Sequence, residues 1–309
     1  MKILLVTPIA LGSADPHYFW FKALKQLGHQ VKIFPLNHFP LWKPVKSWQL
    51  RREILKFNPD KIFFSAGKDA VYPLKTNVFF TGVAPETLSA AEKMIGQMAD
   101  LVVINDSTHI QLWQNLKAKR AICLPISAVD PGYFRPAKIK PTSPVSFVGS
   151  LFSDRQPQLA QIAKLYPKLK IWGWLPPRVK LLPSLKANYQ GEAWGKQVVE
   201  IYQGSLIGLN LAPQHLPQAG NLRTFEIPAC QALLLSDKLN PDWYLPGKEA
   251  VVFTTPEDCV RKIHYYLNHP QQRQAIALKG FRRTIKDHTY LTRFSRLIVD
   301  IKLPVLPSA

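Results

Sequence analysis

Short apolar runs recur along this chain with amphipathic stretches between them, and that alternation constrains the fold more than any other feature. Lys2–Val6 (KILLV), Lys61–Ser65 (KIFFS), Leu101–Ile104 (LVVI) and Ala232–Ser236 (ALLLS) lack the in-and-out alternation of a half-solvated strand. Each reads as a strand covered on both faces, the kind found in parallel sheets. Between the early runs, Pro16–Leu27, Ser47–Phe57, Pro85–Met98 and Ser107–Leu116 carry apolar residues at helical spacing, so the first half reads as βα units. Gly28 stands where the first helix would end and Gln30–Phe34 follows as a strand, the position of a C-cap glycine. Asn77–Thr81 and Ala121–Leu124 complete the strand set of this half.

The pattern restarts after Pro125–Pro144, a span with five prolines that reads as a linker. Strands are expected at Val145–Val148, Leu169–Trp172, Leu206–Leu211, Ala232–Ser236 and Ala250–Phe253. Helices are expected at Gln156–Tyr166, Gly195–Tyr202, Asn221–Gln231 (despite Pro228) and from Pro256 onwards. The expected fold is α/β: two Rossmann-like domains, residues 1–136 and 137–288, with parallel sheets facing a cleft. The remainder, 289–309, reads as a closing helix and tail packing back toward the first domain.

Hydrophobic residues make up 47% of the chain and charged ones 19%, which excludes disorder and coiled-coil architecture. The formal charge of +20 points to polyanionic company: phosphorylated ligands, an anionic membrane surface or nucleic acid. No helix-turn-helix, zinc-finger or ribonucleoprotein motif supports nucleic acid as the partner. Cys123, Cys230 and Cys259 are too few and scattered for a disulfide framework, each reads as a small buried hydrophobe, and a cytoplasmic setting is expected. The start could pass for a short signal peptide, but Pro8 interrupts the apolar run, and a buried first strand is the better reading.

Two segments carry candidate chemistry. In VSFVGSLFSDR (145–155), Gly149 and Ser150 follow a buried strand, and Arg155 stands at the mouth of a helix. Glycine lets backbone amides approach an anion, and a helix start with an arginine adds positive potential. The plain alternative is an ordinary strand-to-helix turn. In NLRTFEIPACQALLLSD (221–237), Arg223 and Glu226 share a helix face. They read either as a structural ion pair or as a ribose-binding carboxylate with a phosphate-binding arginine.

Taken together, the chain resembles the GT-B glycosyltransferases, and within them the CgeB-like, glycosyl transferases group 1 families. The matching segments are MKILLVTP with FKALKQLGHQVKIF, CLPISAVDPGYFRP, VSFVGSLFSDR, and NLRTFEIPACQALLLSD with PGKEAVVF and HTYLTRFSRLI. The resemblance implies a hexosyltransferase-type enzyme taking a nucleotide-sugar donor and an unidentified acceptor, with no cofactor. It implies donor binding by Gly149, Ser150, Arg155, Gly173, Trp174, Asn221, Arg223 and Glu226, with Glu226 on the ribose and Gly173-Trp174 near the base. Related retaining enzymes have a second basic group where Ser150 stands and a second glutamate where Gln218 stands. Those departures support an alternative: a degenerate GT-B protein that keeps a nucleotide site and has lost catalysis.

No His/Asp/Glu spacing suggests a metal site. An inverting transfer would need a base, for which Asp15 and His17 after the first strand are candidates, with His17 also readable as a helix-start residue. His109 is an outside candidate for the same role and is expected on a helix surface. Finally, Phe39–Phe57 interleaves Phe39, Trp42, Trp48 and Phe57 with Lys43, Lys46, Arg51, Arg52 and Lys56. That pattern suits peripheral contact with an anionic membrane, or an ordinary helix covering a sheet.

Overall fold

The computed structural model describes residues 1–8, 15–36, 43–65, 76–83, 85–212 and 220–302. The chain divides into two compact units: one built on Met1–Ser127 and completed from Tyr290 onwards, the other on Ala128–Gln214 and Gly220–Thr289. Residues 128–136, expected with the first domain, thus group with the second unit. Val129 there pairs with Thr289.

The first unit holds a six-stranded sheet of β1 (Lys2–Thr7), β2 (Gln30–Pro35), β3 (Lys61–Ser65), β4 (Val78–Thr81), β5 (Leu101–Ile104) and β6 (Ala121–Cys123). The order is β2-β1-β3-β4-β5-β6 and every pairing is parallel. Lys2–Thr7 is therefore an interior strand, bonded to β2 on one side and β3 on the other. Helix α1 (Pro16–Gln26) starts on the Asp15 cap and ends at Gly28, whose φ of +81° is the left-handed conformation a glycine adopts without a Cβ penalty. Helix α2 (Lys43–Phe57) seats Leu50 in the core. The expected helix 85–98 is broken: a tight turn at Pro85–Thr87 precedes α3 (Ala90–Met98), which starts on a capping box of Ser89 and Glu92. Helix α4 (Ile110–Asn115) follows β5, and α10 (Tyr290–Lys302) packs on α1. There Phe19 stacks on Tyr290 with centroids 5.8 Å apart.

The second unit holds β7 (Ser143–Val148), β8 (Lys170–Trp172), β9 (Ser205–Asn210), β10 (Leu233–Ser236) and β11 (Val251–Val252) in the parallel order β11-β10-β9-β7-β8. Helices α5 (Gln156–Leu165), α6 (Lys196–Gln203), α7 (Leu222–Ala229), α8 (Pro256–Asn268) and α9 (Pro270–Asp287) connect or follow these strands. Leu159 and Ile162 of α5, and Cys259 and Ile263 of α8, share one core with Val145, Phe147, Ile207 and Leu235 of the sheet. Pro228 falls in the last turn of α7.

Cys230 and Cys259 are buried, but Cys123 is exposed, against the expectation of a buried hydrophobe. It ends β6, and an edge strand has one flank without a neighbour to cover it. His109 departs in the opposite direction: it is 6% exposed in the tight turn before α4, not on a helix surface. Among the described residues, no helix is long and apolar enough to cross a membrane.

Candidate functional site

In the second unit, β7 is followed by β8 on one side and lies against β9 on the other, so the direction of winding reverses there. Ligands of parallel sheets enter outside the carboxyl ends of strands at such a reversal. The loops after β7 and β8 are joined by backbone bonds: Gly149 N–H donates to the Trp172 carbonyl at 3.0 Å and Leu151 N–H to the Trp174 carbonyl at 2.9 Å. A Cβ on Gly173 would fall 2.0 Å from the Gly149 carbonyl oxygen, so the close approach requires glycine.

Arg155 stands at the N-cap of α5 and reaches over that joint. Its Nη1 donates to the Ser150 carbonyl at 2.9 Å and its Nη2 to the Leu211 carbonyl at 3.2 Å. Ser150 thus meets Arg155 through its backbone. Burial, together with the nearby charge of Arg223, holds the Arg155 pKa below the usual guanidinium range, while Asp154 and Asp237 oppose the shift.

The second arginine comes from α7. Asn221 caps that helix by accepting the Thr224 N–H at 3.1 Å, and its own amide donates to Asn210 Oδ1 at 2.9 Å and the Leu211 carbonyl at 3.2 Å. The side chain expected among the donor ligands is therefore engaged in fixing α7 to the end of β9. Two residues on, Arg223 Nε donates to the Val148 carbonyl at 3.0 Å, and its Nη1 closes on the Glu226 carboxylate. Burial disfavours the charge on Arg223, but Glu226 and Tyr202 outweigh it and hold its pKa above the ordinary value. Of the two readings of this pair, the i,i+3 ion pair is present in the structure. Gln218 lies outside the described residues.

Two side chains without a role in the sequence reading belong to this cluster. The buried Tyr202 hydroxyl lies 3.5 Å from the Val148 carbonyl. Asp237, just after β10, accepts the Ala212 N–H at 2.8 Å, and burial raises its carboxyl pKa against the pull of that bond, Lys238 and Arg155. Asp237 closes the segment 221–237, so its place after an apolar run was the available signal.

The first unit has a cluster of its own at the equivalent reversal, where β1 lies between β2 and β3. Asp15 Oδ1 accepts the His17 backbone N–H at 2.7 Å and lies 2.8 Å from His17 Nδ1. His17 Nε2 lies 2.8 Å from the hydroxyl of Ser65, the last residue of β3. Ser65 was not singled out in the sequence, because the strand's length says nothing of what faces its end. Among the described residues, no three His, Cys, Asp or Glu groups come together to hold a metal ion.

Residues 151–298 match the family model described as glycosyl transferase-like. The spore protein CgeB of Bacillus subtilis (strain 168) is 29% identical over 135 residues, 39% of this chain and 41% of that protein. The alignment therefore spans about two fifths of the length of that curated relative. Sucrose-phosphate synthase from Thermosynechococcus elongatus superposes with a TM-score of 0.70 at 10% identity, covering 98% of this chain and 99% of that one. Anabaena Alr3699/HepE in complex with UDP-glucose gives 0.70 at 13% identity, with 98% and 99% covered. T4 phage BGT in complex with UDP and Mn2+ gives 0.67 at 12% identity, with 98% and 100% covered. The chain thus has the fold of GT-B glycosyltransferases and, over residues 151–298, the sequence pattern of the glycosyl transferase-like family.

Proposed function

We propose that the protein is a hexosyltransferase-type glycosyltransferase that moves a sugar from a nucleotide-sugar, held by the second unit, to an acceptor. The observation that carries this reading is the pair of guanidinium groups at the carboxyl end of β7. Arg155 is anchored on the Ser150 carbonyl and Arg223 on the Val148 carbonyl, near enough for one charge to depress the pKa of the other. Two fixed cations beside glycine backbone suit a diphosphate, on which negative charge builds as the sugar leaves.

In this assignment Arg155 and Arg223 hold the diphosphate, and Gly149 and Ser150 let backbone approach it. Glu226 meets the ribose, Gly173 and Trp174 border the base, and Asn221 fixes the helix that presents Arg223 and Glu226. The arginines take the charge-neutralising role, so turnover is expected to survive chelation of divalent metals. Asp15 and His17 supply the base for the acceptor hydroxyl. The UDP-glucose bound to HepE and the UDP bound to BGT support a uridine diphosphate sugar as the first donor to test.

The test is calorimetric titration with UDP. Charged hydrogen bonds contribute about 1.5–3 kcal/mol, so Arg155→Ala and Glu226→Ala should each weaken binding by roughly 10- to 100-fold. Unchanged affinity in both would overturn the assignment.

A second reading has a specific observation behind it. Arg155 spends two donors on carbonyls and Arg223 is closed on Glu226, which leaves fewer N–H groups to meet the charge that builds on a leaving diphosphate. UDP binding with no release of sugar from any nucleotide-sugar would select that reading. The exposed face of α2, with Trp48 at 58% exposure and Leu55 at 82%, also supports peripheral contact with an anionic membrane.

A further inference from the structure

Both ring nitrogens of His17 are engaged within the first unit, Nδ1 by Asp15 and Nε2 by Ser65, each at 2.8 Å. A carboxylate only accepts hydrogen bonds, so the neutral ring that places its proton on Nδ1, toward Asp15, presents its lone pair at Nε2. In that tautomer the Ser65 hydroxyl donates to Nε2, and its oxygen keeps lone pairs for a further donor. The imidazole is held from several sides: Asp15 Oδ1 also takes the His17 backbone N–H, and the Trp20 ring centroid lies 4.7 Å from that of His17. Asp15 caps α1, while Ser65 ends β3, the strand bonded to β1. The three groups are thus brought by two separate segments to the carboxyl edge of the sheet, at its reversal of winding.

That geometry has a consequence for the base. A proton bound for Nε2 meets Ser65 Oγ first, because the serine covers the only basic nitrogen. We propose that Ser65 is a catalytic residue whose hydroxyl takes the acceptor's proton while passing its own to His17. This rests on the glycosyl-transfer reading and replaces direct contact between His17 and the acceptor with a two-step relay.

As the acceptor oxygen bonds to the anomeric carbon, the bond from that carbon to the diphosphate oxygen breaks, and its electron pair leaves with the nucleotide. The acceptor's proton moves to Ser65 Oγ, and the serine's own proton moves to His17 Nε2. Asp15 stabilises the imidazolium, which later returns its proton to water. The serine begins and ends neutral. A serine that merely props the ring would behave differently, since removing it would free Nε2 and leave the base intact.

The experiment uses the full chain as wild type, Ser65→Ala, Ser65→Thr and His17→Gln. UDP release from UDP-glucose is followed with water as acceptor. In parallel, each protein is treated with diisopropyl fluorophosphate, a small reagent for base-activated serines, and the Ser65 peptide is examined by mass spectrometry. The relay predicts that Ser65→Ala lowers kcat by about 100-fold, the lower end of general-base contributions, with KM little changed. Ser65→Thr restores most of it, and the phosphoryl adduct forms on Ser65 only when His17 is present.

Where the wild type turns over, kcat decides. A wild-type kcat in Ser65→Ala, or a loss that Ser65→Thr does not restore, overturns the relay. Where the wild type releases no UDP, labelling decides. A His17-dependent adduct on Ser65 upholds the activated serine while the glycosyl-transfer reading fails, and no adduct removes both.

Discussion

Glu226 lies one helical turn after Arg223 on α7, and its carboxylate closes on a guanidinium whose Nε–H holds the Val148 carbonyl at 3.0 Å. This ion pair ties α7 to the end of β7. Its carboxylate side chain is 6% exposed and its guanidinium 20%, so solvent screens it weakly. Breaking such a pair by removing one partner costs about 3–5 kcal/mol, because the other charge stays buried and unpaired. Arg223→Ala and Glu226→Ala are each expected to destabilise on that scale, and the double substitution by less than the sum of the two. Urea unfolding of the four proteins gives the cycle, and additive losses would contradict a coupled pair.

Gly173→Ala should be far more harmful than Gly149→Ala. At Gly173 the new Cβ meets the Gly149 backbone oxygen at 2.0 Å, whereas at Gly149 it meets the Phe147 ring at 3.0 Å and an Arg155 nitrogen at 3.3 Å. A side chain can turn aside and a carbonyl fixed by its strand cannot. Overpacking costs about 1–3 kcal/mol or more, so a clear drop in Tm is expected for Gly173→Ala, together with weaker UDP binding. Equal Tm values for the two variants would count against the close approach.

The N-terminal turn of α8 carries an acid-sensitive contribution. Burial alone would push the Asp258 carboxyl up, but hydrogen bonds from Lys262 and the Thr254 N–H, with the charges of Lys262 and Arg261, outweigh it and hold the pKa below the usual 3.8. A carboxyl whose folded-state pKa is lowered stabilises the protein above its unfolded pKa, and that stability is lost as pH falls through the folded value. Asp258→Asn should therefore reduce stability at neutral pH, with the gap from wild type closing below pH 3.8. Urea unfolding across that range checks it; a gap that stays constant with pH would assign the loss to packing.

Helix α2 offers a separate test of membrane contact. Val45, Trp48 and Leu55 are exposed along it beside Arg51, Arg52 and Lys56, with the Arg52 guanidinium 5.6 Å from the Trp48 ring centroid. Each basic side chain near an anionic surface contributes about 1 kcal/mol. The protein should sediment with phosphatidylglycerol vesicles and not with phosphatidylcholine ones. Arg51→Glu/Arg52→Glu should abolish this and Trp48→Ala weaken it. Lys46 is 7% exposed and is expected to contribute nothing. Phe39 and Trp42 lie outside the described residues.

The order of elements was legible in the chain because strands covered on both faces must be continuously apolar, while their helices need only one apolar stripe. Those two periods are local, so KILLV, KIFFS and LVVI announce strands before any partner is known. The glycine after α1, the segment before Arg155 and the 221–237 segment were legible for the same reason: each depends on its near neighbours in sequence. The break at Pro85–Thr87 was missed because a proline-started run reads the same whether it opens a helix or a turn before one.

What the tertiary structure decided is which distant segments share an end of a sheet. Whether Arg223 faces a ligand, Glu226 or both depends on the Val148 carbonyl, 75 residues away. Ser65 became part of a site only because β3 lies beside β1, 48 residues from His17. His109 and Cys123 exchanged their expected burial for a similar reason: one lies in a buried turn, the other on an edge strand. Propensity and periodicity are short-range quantities, whereas hydrogen bonds, desolvation and pKa depend on whatever lies within a few ångströms, and strand order alone determines what that is.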